Sequence, residues 1–194
     1  MAKVKCKKWR KKPKVKRSIL FLIVTGEEKG LLGSKYFAGN PTVPSKAIVA
    51  NINTDMFLPL YPLKRLTVYG VDESTLGDDV RAVAQQMGIA VQLDPEPARN
   101  SFIRSDQYSF ILRGIPAIAM KDGYEKGSPE ETIFKTWLTE RYHSVTDDLQ
   151  QPVDKTAAAT FDVLAARLLE RIANENARPA WKADSFFRRY AAKN

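Results

Sequence analysis

A single cysteine and a single histidine stand in a chain of 194 residues. No apolar run approaches the roughly 18 residues of a membrane-spanning helix. Cys6 alone excludes an internal disulfide framework. With His143 as the only imidazole, a metal site built from several histidines is excluded as well. There is no internal repeat and no linker of the kind that separates domains. Hydrophobic residues at 44% and charged residues at 27% exclude a disordered chain and fit one domain with a real core.

What is present in excess is positive charge, a net +9, and its placement decides its meaning. Of the 31 Lys and Arg, ten fall in residues 1–17 (MAKVKCKKWRKKPKVKR) with no acid among them, leaving 21 against 22 acids, a net charge of −1, in the rest. The expected organisation is therefore a basic, disordered tail over 1–17 and one α/β domain over 18–194. A tail of this kind binds phosphate backbones without specificity, so a nucleic-acid binder is a third reading behind those developed below. The basic start and the following Ser-Ile-Leu-Phe-Leu-Ile-Val also mimic a secretory signal. Gly26, Glu27 and Glu28 then stand where a small-residue cleavage site belongs, and no compartment follows from the sequence.

Apolar runs alternate with helical spacing in a βαβα rhythm, which predicts a mixed sheet flanked by helices. Ser18–Thr25 is continuous and β-branched, the pattern of a central strand covered on both faces. Further strands are expected at Ala47–Asn53, Leu66–Tyr69, Ile89–Leu93 and Ile115–Met120. Pro116 in the last of these argues for an edge or first-residue position. Helices are expected at Gly30–Ala38, Leu76–Met87, Ser105–Leu112 (with Ser105 as its cap) and Lys155–Asn174. The stripe Phe161, Leu164, Leu168 and Ile172 faces the core from the last helix. Lys121–Thr146 reads as a long loop with one helical turn, of the length that usually carries function.

Five adjacent acidic pairs occur, at 27–28, 72–73, 78–79, 130–131 and 147–148, so a pair alone says little and four are expected at the surface. Glu27-Glu28 differs because it ends an apolar run through Thr25-Gly26, and Asp55 follows the next strand in the same way. Ligands of open α/β sheets bind beyond the carboxyl ends of strands. Three carboxylates thus reach one edge, and carboxylate with imidazole is a zinc donor set. Against this, His143 taken by itself reads rather as a surface or helix-capping imidazole in a polar loop, and only its company of carboxylates brings the metal reading level.

The ordered motifs RSILFLIVTGEEKGLLGSKYFA, NINTDM, RSDQYSF with GIPAIA, and YHSVTDD resemble the two-zinc aminopeptidases. That family includes bacterial leucyl aminopeptidases, folate-hydrolysing carboxypeptidases and glutaminyl cyclases. The resemblance spans about residues 17–175, the C-terminal two-thirds of such a domain. It implies the zinc-exopeptidase fold, a peptide substrate, and zinc, two ions per site, as cofactor. It further implies Glu27 as the general base, Glu28 and His143 as ligands of one zinc, and Asp55 as a ligand of the other. Asp106 aligns with an acidic position near the site, a substrate or supporting contact, and otherwise reads as a helix N-terminal carboxylate. Tyr124, Trp137 and Tyr142 either line a substrate pocket or cover the core. Relatives carry an earlier segment with a His-x-Asp motif and a bridging Asp, and many are exported. Neither motif is present here, so an N-terminally truncated domain with impaired peptidase activity is expected. The alternative is a non-catalytic relative of the same fold.

Overall fold

The computed structural model describes residues 15–191. Residues 1–14, most of the expected basic tail, lie outside the described residues. Four strands form one sheet: β1 (Asn51–Asn53), β2 (Arg65–Tyr69), β3 (Ala90–Gln92) and β4 (Ala117–Asp122), in the order β1-β4-β2-β3. β4 runs parallel to β1 and antiparallel to β2, and β3 runs parallel to β2. The sheet is mixed, as the alternating pattern predicts. β4 is an inner strand rather than an edge. It tolerates Pro116 because it begins one residue later, and the Pro116 carbonyl still accepts the Asn51 amide.

Helices α1 (Leu32–Gly39), α2 (Leu76–Gln86), α3 (Gln107–Ile111), α4 (Pro129–Glu140) and α5 (Lys155–Asn174) surround the sheet. Side-chain alternation sends Leu66, Val68, Ile118 and Met120 to one face. There they meet Val80 and Val83 of α2 and the whole expected stripe of α5, all buried. On the other face Ile111 and Ala117 pack beneath Trp181, whose indole N–H donates to the Gly114 carbonyl at 3.0 Å. Asp154 caps α5 by accepting the Thr156 and Ala157 amides at 2.8 and 2.9 Å.

Three expectations need correction. The first is Ser18–Thr25, which pairs with no strand among the described residues and is largely exposed on both sides. Phe21 is 82% and Ile23 97% exposed, and a groove of about 610 Å3 lies between the segment and β1, whose outer edge is unpaired among the described residues. A β-branched apolar run announces a strand, but the partner strands that would bury it are not encoded in the run itself. The second is the polar stretch after β4, which contains a three-turn helix, α4, rather than a single turn. Ser128 accepts the Glu131 amide at 3.2 Å while the Glu131 carboxylate accepts the Gly127 amide at 2.6 Å, with Pro129 at the first helical position. The third concerns the acidic pairs. Asp79 is buried, 3% exposed, and accepts from the Arg171 Nε at 2.7 Å.

Arg17 ends the basic stretch but belongs to the fold. Its guanidinium donates to the carbonyls of Ile172 and Glu175 at 2.7 Å and of Ala177 at 2.8 Å. Carbonyls at a helix C-terminus lack intrahelical partners and carry the negative end of the helix dipole. Arg17→Ala is expected to cost about 1–2 kcal/mol, the scale of hydrogen bonds to a charged group at a half-exposed site. A thermal melt checks it, and an unchanged melting temperature would return Arg17 to the tail.

Candidate active site

Gly26, at φ 70, turns the chain at the end of the 18–25 segment, a conformation that costs glycine little. The next residues wind into a turn in which the Glu27 carbonyl accepts the Gly30 and Leu31 amides at 3.0 and 2.9 Å. This turn presents Glu27 and Glu28 side by side just ahead of α1. Asp55 arrives two residues after β1, and Asp106 immediately before α3. Burial first, and then the Asp55, Glu28 and Asp106 carboxylates, push the Glu27 carboxyl above its ordinary range, while the Lys121 ammonium pulls the other way. The acids named from the sequence therefore lie within electrostatic reach of one another.

His143 comes from the other side of the chain. Its Nε2 lies 2.8 Å from Glu28 Oε1, so the two residues expected to share a metal are in contact. An aromatic series delivers it there. Trp137 of α4 is buried and packs at 6.0 Å on Tyr142, whose ring stacks on the imidazole at 3.8 Å. Of the three aromatics singled out, Trp137 thus covers core, whereas Tyr124 and Tyr142 line a recess beside the acids. His143 and Met56, the residue after Asp55, hold left-handed backbones at φ 57 and 53. Such conformations cost on the order of 1–3 kcal/mol and cluster where chemistry fixes side-chain direction.

Asp55 is held by residues the sequence reading did not assign to the site. Ser105, expected to cap α3, instead donates its hydroxyl to Asp55 Oδ2 at 2.9 Å. The Asn53 amide in turn donates to Ser105 Oγ at 3.2 Å and to the fully buried Gln107 at 2.7 Å. The signal was present in Asn53-Thr54-Asp55 and Arg104-Ser105-Asp106-Gln107, but pairing across 50 residues is tertiary information. Asp106 stands at the N-terminus of α3 but makes no side-chain cap, and its Oδ1 is buried without a hydrogen-bond partner among the described residues.

The donor set for zinc is short by this geometry. Catalytic zinc usually takes three protein ligands, and among the described residues no three His, Cys, Asp or Glu side chains converge as a metal site. Glu28 and His143 occupy each other, and Asp55 is occupied by Ser105. The residues present do not fit a complete two-zinc centre.

Comparison with known proteins finds aminopeptidases. A probable leucine aminopeptidase 2 of Aspergillus fumigatus is 32% identical over 124 residues, covering 60% of this chain and 24% of its own length. The aminopeptidase from Aneurinibacillus sp. strain AM-1 superposes with a TM-score of 0.50 at 21% identity, covering 75% of this chain and 31% of that one. At that identity the superposition speaks for the fold. The chain spans about a quarter of the curated relative's length. The model of peptidase family M28 matches residues 3–168, reaching into the basic stretch at its start. That match covers most of the sequence, and the chain belongs to peptidase family M28.

Proposed function

We propose that this chain carries the acid-base half of a zinc-dependent exopeptidase that removes N-terminal residues from peptides, and that it is impaired as it stands. The observation that carries the reading is the convergence of Glu27, Glu28, Asp55 and Asp106, with His143 2.8 Å from Glu28. In this reading Glu27 is the general base. Its burial and acidic neighbours raise its proton affinity, which suits a carboxylate that takes a proton from attacking water and returns it to the leaving amine. The same negative cluster attracts the ammonium of a peptide's first residue.

Glu28 and His143 are assigned to one zinc and Asp55 to the other, and this set is incomplete. Slow chemistry is the consequence. The purified chain, with zinc added, should hydrolyse leucyl-p-nitroanilide far below the median enzyme rate of about 10 per second. A rate near that median would contradict the incomplete set. The second reading, a non-catalytic relative, is favoured by the mutual satisfaction of Glu28 with His143 and of Asp55 with Ser105. It predicts no hydrolysis and no zinc.

A further inference from the structure

The groove of about 610 Å3 beside β1 opens between the two helical layers that cover the sheet. On one face it is lined by Leu169 and Ile172 of α5, the helix that closes the main core. On the other it is lined by Phe37 of α1 and Phe110 of α3, whose rings pack at 6.1 Å. Its two remaining sides are the apolar run 18–25 and β1. Exposure along the run has the period of a strand. Leu20, Leu22 and Val24 line the groove, whereas Phe21 and Ile23 do not and face solvent.

Two observations say what kind of molecule fits there. The first concerns backbone. Among the described residues, residues 18–24 form no backbone hydrogen bond, and the edge of β1 away from β4 is unpaired. Two rows of main-chain donors and acceptors thus border one groove, an arrangement that an added strand completes. The second is a pair of orphaned oxygens. Asn51 Oδ1 and Asp106 Oδ1 are buried without a hydrogen-bond partner among the described residues, and both residues line the groove. They call for N–H donors, which a passing main chain supplies. A strand held between two helical layers is buried on both faces, so its side chains must be uncharged and largely apolar.

We propose that this groove binds an extended, uncharged, β-branched segment of a separate polypeptide, which joins the sheet as a strand between residues 18–25 and β1. This goes beyond the exopeptidase reading and does not depend on it. Neither of the chain's own candidates fits. Every run of five residues in 1–14 carries at least two Lys or Arg, and burying such charges between apolar helices without counterions is costly. The 18–25 run of a second copy has the right composition but is tied down at both ends. The Arg17 amide donates to the Ala173 carbonyl, and the Thr25 carbonyl accepts the Gly33 amide, each at 2.9 Å.

Fluorescence anisotropy tests this with a labelled peptide of Val, Ile and Thr, about as long as the 18–25 run and flanked by lysines for solubility, titrated with the full chain. Binding should saturate at one peptide per chain. Successive residues of a strand point their N–H groups to opposite edges. N-methylation of either alternate set of peptide nitrogens should therefore weaken binding at least about tenfold, with charge unchanged. Leu22→Lys should abolish binding and Ile23→Lys should leave it intact, both at a melting temperature near that of the parent chain. Hydrogen exchange should show the amides of residues 19–24 protected only when the peptide is present. Protection in the free monomer would assign the groove to residues 1–14, and protection that grows with protein concentration would assign it to a second copy. Tolerance of one N-methylated set would place the peptide on a single edge, and tolerance of both would reduce the contact to its lysines. Each of these results, or no binding at all, would overturn the proposal.

Discussion

Glu27→Gln should lower peptide hydrolysis by about 100- to 10,000-fold, the contribution typical of a positioned general base. The substitution keeps the size of the side chain and removes its capacity to accept a proton. It also removes one negative charge from a crowded group, since burial, Asp55, Glu28 and Asp106 all oppose ionisation of Glu27. Stability should therefore hold or rise slightly. The Glu28–His143 contact does not involve Glu27, so whatever metal that pair retains should be unchanged. Single-turnover measurement with enzyme in excess keeps a slow basal rate readable. An unchanged rate would move the base to another carboxylate, with Asp106 and its unpartnered buried oxygen the first candidate.

Gly77→Ala should be among the most damaging single changes to the fold. A Cβ built on Gly77 would lie 1.6 Å from the Val71 carbonyl oxygen. The oxygen belongs to backbone and an alanine Cβ has no rotamer to turn away, so no side-chain rotation relieves the clash. Val71 and Leu76 on either side are buried in the main core, at 2% and 0% exposure, which prevents the chain from swinging outward. Overpacking against rigid backbone costs about 3 kcal/mol or more. For a chain of this size that corresponds to a melting temperature lowered by about 10 °C. A loss under about 2 °C would mean that the approach of α2 to residue 71 is looser than described.

Gly77 also marks the limit of what the sequence discloses. Inside Leu-Gly-Asp-Asp-Val-Arg-Ala-Val it reads only as a weak helix former, because the Val71 carbonyl above it is a product of folding. Elements with strong periodicity were legible. α2 and α5 sit where their spacing puts them, and every residue of the Phe161–Ile172 stripe is buried. Helix α4 was encoded in Ser128-Pro129-Glu130-Glu131, a capping pattern that outweighs the polar composition of its surroundings. The 18–25 run misled because hydrophobic composition reports a preference for burial and not the presence of a partner, and here Phe21 and Ile23 face solvent. In the candidate site, the motifs that single out Glu27, Glu28, Asp55 and His143 are local, and the structure brings Glu28 against His143. Their supports are not local. Ser105 reaches Asp55 across 50 residues, and Tyr142 fixes His143 by stacking.

The account turns on a catalytic cluster whose metal donor set is incomplete, and counting zinc tests it most directly. Native mass spectrometry of the full chain after dialysis against micromolar zinc should find fewer than one ion per chain. That fraction should fall further in His143→Ala and Glu28→Gln and be unchanged in Glu27→Gln. Two zinc ions held per chain through dialysis, or zinc uptake indifferent to both His143 and Glu28, would contradict it.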